Sequence, residues 1–379
     1  MLKLYNTLTR KKGKFVPLKD KKATLYVCGI TPYDTTHLGH AFTYISFDVL
    51  VRYLKFKGYE VTYTQNVTDM NDRDNDILAR AKKLNIPWTE LVNYWTNRFL
   101  NDMQALNWIK PSNYLWASKN IPEMIILIKK LLKNGYAYEV SGSVYLDVAK
   151  KKDFGKLSRY SVAEMLRVAK DFEEDLTNSD KRHPLDITLW RATEKNQEPH
   201  IPSFESPFGK GRPGWHIECS AMVIKTLGSQ IDIHGGGHDL IYPHHESEIA
   251  QSEGATGIVP FVSYWLHTGT VHYQVKKMSK SLGNLVLVSD LLKKYSANAI
   301  RYLLLSHHYR EPWEFFEKDL IVAEQKIKVV EKRLVDSSEG KEEFEQAMNN
   351  DLDSPSALKI LDRKPSLEIY KALGFISNF

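Results

Sequence analysis

Residues 24–65 constrain the fold of this chain more than any other part of its sequence. An apolar run at 24–28 ends at Gly29, a helical pattern occupies 40–57, and a second strand-like run follows at 60–65. A strand, a helix and a strand in this order predict a parallel βαβ unit, because parallel neighbours need a long crossover connection. Ligands of such sheets bind at the carboxyl ends of the strands, so we expect the functional site there.

The rest of the chain alternates between helical and strand-like patterns. Helical patterns are found at 86–134, 163–170, 244–251, 319–332 and 342–348, and strand-like runs at 142–147, 230–234 and 261–267. This alternation favours an α/β fold.

Four basic residues in two distant motifs suit one kind of chemistry. His37 and His40 stand at the expected start of the first helix, and Lys277 and Lys280 lie in a Lys-Met-Ser-Lys-Ser run. When a carboxylate attacks the α-phosphate of ATP, charge builds up on the leaving pyrophosphate, and fixed cations and N–H donors stabilise it. The histidines and the helix N-terminus could donate to the phosphates, and the lysines could supply the charge. We therefore predict these four residues as catalytic, while the lysine run alone also fits a solvated basic turn.

The two motifs together resemble the HIGH and KMSKS elements of class I aminoacyl-tRNA synthetases. The resemblance implies an α/β fold, with a Rossmann-like parallel sheet, a connective insertion and a C-terminal helical region. We accordingly predict the first half of the Rossmann-like domain at 1–104, the connective insertion at 105–212, the second half at 213–274, the lysine-motif loop and stem-contact region at 275–318, and a truncated helical domain without an anticodon-binding domain at 319–379.

The composition fits a soluble enzyme and argues against a membrane protein. Of the 379 residues, 42% are hydrophobic and 26% are charged, which is ordinary for a globular chain of two or three domains. No apolar run approaches the roughly 20 residues that cross a bilayer, and the N-terminal segment lacks the apolar core of a targeting signal. We therefore expect a cytoplasmic protein with no membrane contact. The net charge of +6 permits a polyanionic partner without requiring one.

Two cysteines, one histidine and one glutamate are candidates for a metal site. Cys28 ends the first predicted strand, Cys219 lies far downstream, and His244 and Glu248 are four residues apart, so that one helix face can present both. Thiolate, imidazole and carboxylate are all ligands of Zn²⁺. The spacing alone leaves other interpretations open: the cysteines as buried apolar side chains, and the histidine and glutamate on a solvated helix face or in a core hydrogen bond.

Longer motifs carry a closer resemblance, which extends over residues 4–358. They are Val27-Cys-Gly29, Pro213-Gly-Trp-His-Ile-Glu-Cys-Ser-Ala-Met222, His234-Gly-Gly-Gly237, Pro243-His-His-Glu246 and Glu248-Ile-Ala-Gln251. Together they resemble the cysteinyl-tRNA synthetases. In that family a zinc ion held by two Cys, one His and one Glu binds the thiol of L-cysteine, and the match places these ligands at Cys28, Cys219, His244 and Glu248. A soft metal binds thiolate far better than hydroxyl, so serine is rejected without an editing site.

The same resemblance implies further residues that contact the substrates. The expected contacts are Gly29, Thr31, Thr43, Thr68, Trp215, His216, His234, Gly237, Asp239, His245 and Val271. Trp215 would form an aromatic wall beside the amino acid, and Gly237 and Val271 would pack near the adenine and ribose. A core tryptophan is the alternative for Trp215, and any one of the histidines could be structural. The glycines at 235–237 would let the backbone approach a ligand closely.

The implied reaction has two steps and uses ATP with Mg²⁺. The carboxylate of L-cysteine attacks the α-phosphate, giving cysteinyl-adenylate and pyrophosphate, and an acceptor then takes the cysteinyl group. The acceptor that we favour is the acceptor end of tRNA-Cys. We expect the protein to be a monomer or a homodimer.

Two other functions stay open. The mycothiol-pathway cysteine ligases use the same chemistry with an amino sugar (glucosaminyl-inositol) as acceptor. Residues 307–310 with Trp313 favour that group, and so does the departure from the synthetase pattern at 71–73. Glu248 favours the synthetase, because the sugar ligases tend to lack it, and residues 171–175 lack the acidic double-glycine motif of those ligases. A third interpretation is a catalytically silent paralogue that binds tRNA or a protein, against which the intact motifs argue.

Overall fold

A computed structural model describes residues 1–34, 36–198, 200–278 and 283–377, and for Lys277 the backbone alone. The strands are β1 (Lys3–Asn6), β2 (Lys11–Lys14), β3 (Lys22–Ile30), β4 (Glu60–Val67), β5 (Asn113–Trp116), β6 (Ala137–Val140), β7 (Ser143–Leu146), β8 (Ile187–Ala192), β9 (Gly211–Pro213), β10 (Ile231–Gly237), β11 (Val262–Thr268), β12 (Val271–Tyr273), β13 (Lys276–Lys277) and β14 (Trp313–Glu314). The helices are α1 (Leu38–Phe56), α2 (Ile77–Leu84), α3 (Trp88–Ala105), α4 (Ile121–Lys133), α5 (Val162–Asp171), α6 (Trp215–Leu227), α7 (His244–Thr256), α8 (Val288–Leu291), α9 (Ala297–Leu305), α10 (Glu317–Lys332), α11 (Lys341–Asn349), α12 (Ser354–Arg363) and α13 (Leu367–Ala372).

A five-stranded parallel sheet lies at the centre of the molecule, in the order β11-β10-β3-β4-β5. The predicted βαβ unit is confirmed: β3 and β4 are parallel neighbours, with Tyr26 opposite Thr64, and α1 connects them. On its other side β3 pairs with β10, where His234 lies opposite Tyr26. Two distant parts of the chain therefore meet in one sheet, in agreement with the predicted α/β fold class.

The edge strand β5 corrects our interpretation of residues 86–134, whose pattern predicts helix throughout. The helices α3 and α4 do form there, but Asn113–Trp116 between them pairs in parallel with β4. A four-residue strand is too short to show its own period of two beside longer helical patterns. The pairing with β4 decides the conformation of this segment.

An antiparallel sheet of four strands lies between β5 and α6 in the sequence. Its order is β6-β7-β8-β9, and α5 belongs to the same part of the chain, which we call the insertion layer. The start of α5 is fixed by a capping box, in which Ser161 and Glu164 each bond to the other's backbone N–H. The helix α5 ends at Asp171. Residues 171–174 lie at the edge of the site described below, and we call them the rim segment.

The alternation of side chains along β3 divides them between two hydrophobic cores. Leu25 and Val27 pack in the core that contains α1 and α9, whereas Tyr26 and Cys28 pack in the core formed by α4, α6 and α7. The thiol of Cys28 therefore faces the two helices, α6 and α7, that carry the other predicted metal ligands.

Helices after the parallel sheet pack on α1. The helix α9 packs against α1 and α10, and α13 returns to α1. The helical prediction for 319–332 is confirmed by α10, and that for 342–348 by α11. In the part of the chain that the structure describes, no helix is both long enough and apolar enough to span a bilayer.

Candidate active site

A cavity of about 620 Å³ opens at the carboxyl ends of the parallel strands, where the sequence predicts the functional site. The predicted site residues on its wall are Cys28, Gly29, Thr31, His37, His40, Thr43, Thr68, Trp215, Cys219, Gly237, Asp239, His244 and Val271. Four other predicted residues are buried behind the wall: His216 contacts His244, His245 and Glu248 contact Cys28, and His234 contacts Glu248. The cavity thus gathers side chains that are as far apart in the sequence as Cys28 and Met278.

The four predicted metal ligands come together beside this cavity. Cys28 lies near the end of β3, Cys219 in the second turn of α6, and His244 and Glu248 one turn apart on α7. One ligand atom of each residue lies within 4.8 Å of all the others. The two Sγ atoms are 3.8 Å apart, and Nε2 of His244 is 3.3 Å from Oε1 of Glu248. Four buried ligand atoms at this spacing could hold one metal ion.

A second group of buried side chains overlaps the first. Cys28, His234, His245 and Glu248 also bring ligand atoms within 4.8 Å of one another. Nε2 of His245 is 3.3 Å from Sγ of Cys28, and Nε2 of His234 is 2.9 Å from Oε2 of Glu248. Of this second group Cys28 alone is on the cavity wall, whereas three residues of the first group are. The first group is therefore the one whose ion could also contact a substrate.

Burial controls the protonation of these groups. It lowers the pKa of His244 and of His245 well below the ordinary value, so both imidazoles are neutral and have a lone pair for a metal. Burial, followed by the neighbouring Cys219, raises the pKa of the Cys28 thiol well above its usual range. Both cysteines are free thiols, and a divalent cation between them would favour their ionised forms. The donor set therefore fits a bound metal.

Two further imidazoles hold the histidines of these groups in place. Nδ1 of His216 is 2.8 Å from Nδ1 of His244. Nε2 of His267 is 2.7 Å from Nδ1 of His245, and Oγ1 of Thr7 is 2.8 Å from Nδ1 of His267. Contacts of this kind fix the tautomer and the ring orientation of a metal-binding histidine. His216, expected as a substrate contact, thus supports a candidate ligand in the structure.

His37 and His40 form the N-terminal end of α1. His37 is the N-cap residue, and its Nδ1 accepts hydrogen bonds from the backbone N–H groups of Gly39 at 3.1 Å and His40 at 3.4 Å. The two rings stack with their centroids 3.8 Å apart, and both line the cavity. The positive end of the α1 dipole therefore faces the cavity, which suits an anionic ligand.

Most of the lysine motif lies outside the described residues. This applies to Lys280 with its serine neighbours, and to the side chain of Lys277. The backbone of Lys277 pairs with His272 of β12, and the next residue, Met278, is buried and lines the cavity. The motif therefore begins at the cavity, and the catalytic roles of its two lysines stay predictions.

The glycines at 235–237 have two different surroundings. Gly237 lines the cavity, as the prediction of close approach to a ligand requires. Gly235 instead allows α1 to pack on β10, because a Cβ atom at this position would lie 2.1 Å from the ring of Phe47. The prediction is therefore wrong for Gly235, whose close contact is with a helix.

Sequence reasoning missed the rim segment and Arg73 as parts of this site. Residues 171–173 line the cavity, and Phe172 stacks on Trp215 with ring centroids 6.1 Å apart. The guanidinium carbon of Arg73 lies 4.2 Å from the ring centre of Trp215. Residues 71–73 and 171–175 depart from the family patterns described above, and these departures could have identified Arg73 and the rim segment.

The chain is similar to known enzymes over most of its length. Residues 14–325 match the family model described as tRNA synthetases class I (C) catalytic domain. The cysteine–tRNA ligase of Dehalococcoides mccartyi is 46% identical over 369 residues, which are 94% of this chain and 78% of that protein. The cysteine–tRNA ligase of Legionella pneumophila is 45% identical over 378 residues (95% and 79%), and that of Haemophilus influenzae is 42% identical over 371 residues (95% and 78%).

Solved structures of other synthetases share the fold. Mycobacterium tuberculosis methionyl-tRNA synthetase in complex with methionyl-adenylate matches with a TM-score of 0.64 at 14% identity, over 90% of this chain and 82% of that one. A putative arginyl-tRNA synthetase from Campylobacter jejuni matches with a TM-score of 0.53 at 13% identity, over 94% and 84%. At these identities the likeness concerns the fold, and it agrees with the predicted class I synthetase architecture.

Proposed function

Because the chain belongs to the class I tRNA synthetases (C), we propose that it is a cysteine–tRNA ligase, which activates L-cysteine with ATP and transfers it to tRNA-Cys. The observation that carries this proposal is the buried group of two thiols, an imidazole and a carboxylate, beside a cavity that the positive end of α1 also faces. A thiol-binding metal next to a phosphate-binding helix end suits the activation of cysteine. We further propose a cytoplasmic monomer or homodimer.

Zn²⁺ is the metal that suits this donor set. Two thiolates, one imidazole and one carboxylate are ligands that Zn²⁺ accepts, whereas Mg²⁺ and Ca²⁺ prefer oxygen. The residues that would hold it are Cys28, Cys219, His244 and Glu248. When bound, zinc would attract the substrate thiol in its ionised form and so distinguish cysteine from serine. Mg²⁺ would enter with the phosphates of ATP.

The first step joins the carboxylate of cysteine to the α-phosphate of ATP. A carboxylate oxygen bonds to the α-phosphorus, the bond to the bridging oxygen of the β-phosphate breaks, and pyrophosphate leaves. Positioning and charge stabilisation provide most of the catalysis, so no residue acts as a covalent nucleophile. His37 and His40 would bind the phosphates with the N-terminus of α1, and Lys277 and Lys280 would stabilise the leaving group.

The rest of the cavity wall would bind the remaining parts of the two substrates. Trp215 would lie beside the cysteine, and its ring centre is 4.5 Å from that of His244, which supports a position of the amino acid next to the metal. Thr68 and Asp239 would contact its ammonium and carboxylate region. The other proposed contacts on the wall are Gly29, Thr31 and Thr43, with Gly237 and Val271 near the nucleoside. The predicted contacts His216, His234 and His245 lie behind the wall and would support it.

We propose that the chain is divided into domains at the positions that the sequence predicts. Residues 1–104 and 213–274 would form the catalytic domain, with 105–212 as the connective insertion. Residues 275–318 would contact the acceptor stem, and 319–379 would belong to the helical domain. The pairing of β3 with β10 supports the association of the two catalytic halves.

The acceptor is tested by supplying ATP, Mg²⁺ and radiolabelled cysteine with either total tRNA or glucosaminyl-inositol. We expect label on the tRNA and none on the amino sugar. Label on the sugar with inert tRNA would show that the protein is the alternative ligase. If the protein catalyses no cysteine-dependent pyrophosphate exchange, the silent paralogue is the better explanation.

Lys280→Ala is expected to slow adenylate formation while the fold stays intact. Removal of one preorganised donor to a developing charge lowers a rate by on the order of 10²–10³-fold. Cysteine-dependent pyrophosphate exchange measures this step. The matched control is Lys276→Ala, because Lys276 is an exposed lysine four residues away. Exchange in Lys280→Ala at the rate of this control would refute the assigned role.

A further inference from the structure

The rim segment connects the insertion layer to the metal site through a carboxylate. Glu174 lies at the end of this segment, and its Oε1 is 2.8 Å from Nη2 of Arg73 and 3.2 Å from Nε2 of His216. Burial disfavours its ionisation, but the hydrogen bond from His216 and the neighbouring guanidinium of Arg73 lower the pKa of Glu174 below its usual range. At neutral pH an ionised carboxylate therefore faces the His216 ring.

His216 contacts both Glu174 and the candidate metal ligand His244. It is buried, with 2% of its surface exposed, and its Nδ1 is 2.8 Å from Nδ1 of His244. His244 in turn directs its Nε2 towards Glu248, at 3.3 Å from Oε1. Glu174, His216 and His244 thus form a continuous line of hydrogen-bonding groups from the rim of the cavity to the ligand cluster.

One arrangement of protons satisfies this line and leaves a ligand atom available. A carboxylate only accepts hydrogen bonds, so a neutral His216 must donate to Glu174 from Nε2, which leaves a lone pair on its Nδ1. That lone pair accepts the proton on Nδ1 of His244. Nε2 of His244 then carries a lone pair, as a ligand to a metal requires. In the absence of Glu174, His216 could equally carry its proton on Nδ1 and oppose this tautomer.

We propose that Glu174 is a positioning residue, which fixes the tautomers of His216 and His244 so that Nε2 of His244 is presented to the metal. This inference rests on the proposed metal site. It also gives the rim segment a function, because Phe172 stacks on Trp215 and Glu174 pairs with Arg73, and these contacts hold the segment beside His216. The proposal predicts that loss of Glu174 weakens metal binding, even though this side chain is not itself among the ligands.

The test measures zinc affinity of the metal-free protein by competition with a chromophoric chelator. Partners of metal ligands typically contribute 10–100-fold to metal affinity, so we expect Glu174→Ala to bind zinc about 10–100-fold more weakly than the wild type. Glu174→Gln keeps an oxygen that can accept from His216 and is expected to recover part of the loss. The control is Asp175→Asn, which removes a charge at the next, exposed residue and should leave the affinity unchanged.

The outcomes separate this inference from the proposed function. If the wild type binds zinc and Glu174→Ala binds it equally well, the positioning role is wrong and the metal site stands. If the wild type itself binds no zinc, the proposed metal site fails first. An equal loss in Glu174→Ala and Asp175→Asn would indicate a general charge effect and would also overturn the proposal. Circular dichroism of the metal-free variants should show the folded spectrum at the temperature of the zinc titrations, although loss of the pair with Arg73 is expected to lower the unfolding midpoint of Glu174→Ala.

Discussion

Cys219→Ser is expected to strip the metal from the protein and to abolish cysteine-dependent pyrophosphate exchange. The thiol of Cys219 lies 3.8 Å from that of Cys28, and a serine hydroxyl in its place is a poor ligand for a soft metal. Changes in residues that only support a ligand weaken metal binding by about 10–100-fold, so the loss of a ligand should exceed ~100-fold. Zinc content after dialysis, measured by mass spectrometry, and the exchange rate check this expectation.

Ser220→Ala is the matched control for this substitution. Ser220 follows Cys219 in α6, is equally buried, and donates a hydrogen bond to Oε1 of Gln251 at 2.7 Å. It is not one of the metal ligands, so this variant should retain zinc and exchange activity. A full complement of zinc in Cys219→Ser would show that the ligand set is different from the one assigned.

Asp48→Ala is expected to destabilise the fold more than any other change considered. Asp48 is fully buried in α1, accepts a hydrogen bond from Nε of Arg52 at 2.9 Å, and pairs with the buried Arg301 of α9. Arg301 also donates to the carbonyl oxygens of Leu373 at 2.7 Å and Leu106 at 2.9 Å. The pair therefore links α1, α9, the end of α3 and the chain after α13.

Removal of the carboxylate leaves the guanidinium of Arg301 buried without its opposite charge. Breaking a buried ion pair in this way costs about 3–5 kcal/mol, which is a large part of the 5–15 kcal/mol that stabilises a typical domain. Denaturant unfolding at neutral pH measures the loss. In the exposed pair between Lys22 and Glu60, at 3.2 Å, Glu60→Ala should cost less than about 1 kcal/mol. Equal losses in the two variants would refute the structural importance of the buried pair.

Much of the central sheet could be predicted from the sequence because its segments are long and regular. The helix predicted at 40–57 is α1 at Leu38–Phe56, and the strand predicted at 60–65 is β4 at Glu60–Val67. The strand β5 could not be predicted in the same way, because four residues carry little periodic signal and its partner β4 lies far away in the sequence.

The metal ligands could be named from motifs, but the contacts that orient them could not. His216 reaches His244, and Glu174 reaches His216, across helices and layers whose relative positions local periodicity does not determine. The same holds for the pair of Asp48 and Arg301, whose residues are joined only when α1 and α9 pack. A sequence pattern indicates which residues could bind a metal or a substrate. The packing of the elements determines which other residues orient them.

The most direct test of the central claim is the absorption spectrum of the cobalt-substituted protein during titration with L-cysteine. Two protein thiols belong to the ligand group that borders the cavity, so the substrate thiol should join them on the metal. We expect L-cysteine to increase the sulfur-to-cobalt charge-transfer absorption, and L-serine to leave it unchanged. A spectrum that does not respond to L-cysteine, in protein that still catalyses cysteine-dependent pyrophosphate exchange, would contradict the claim.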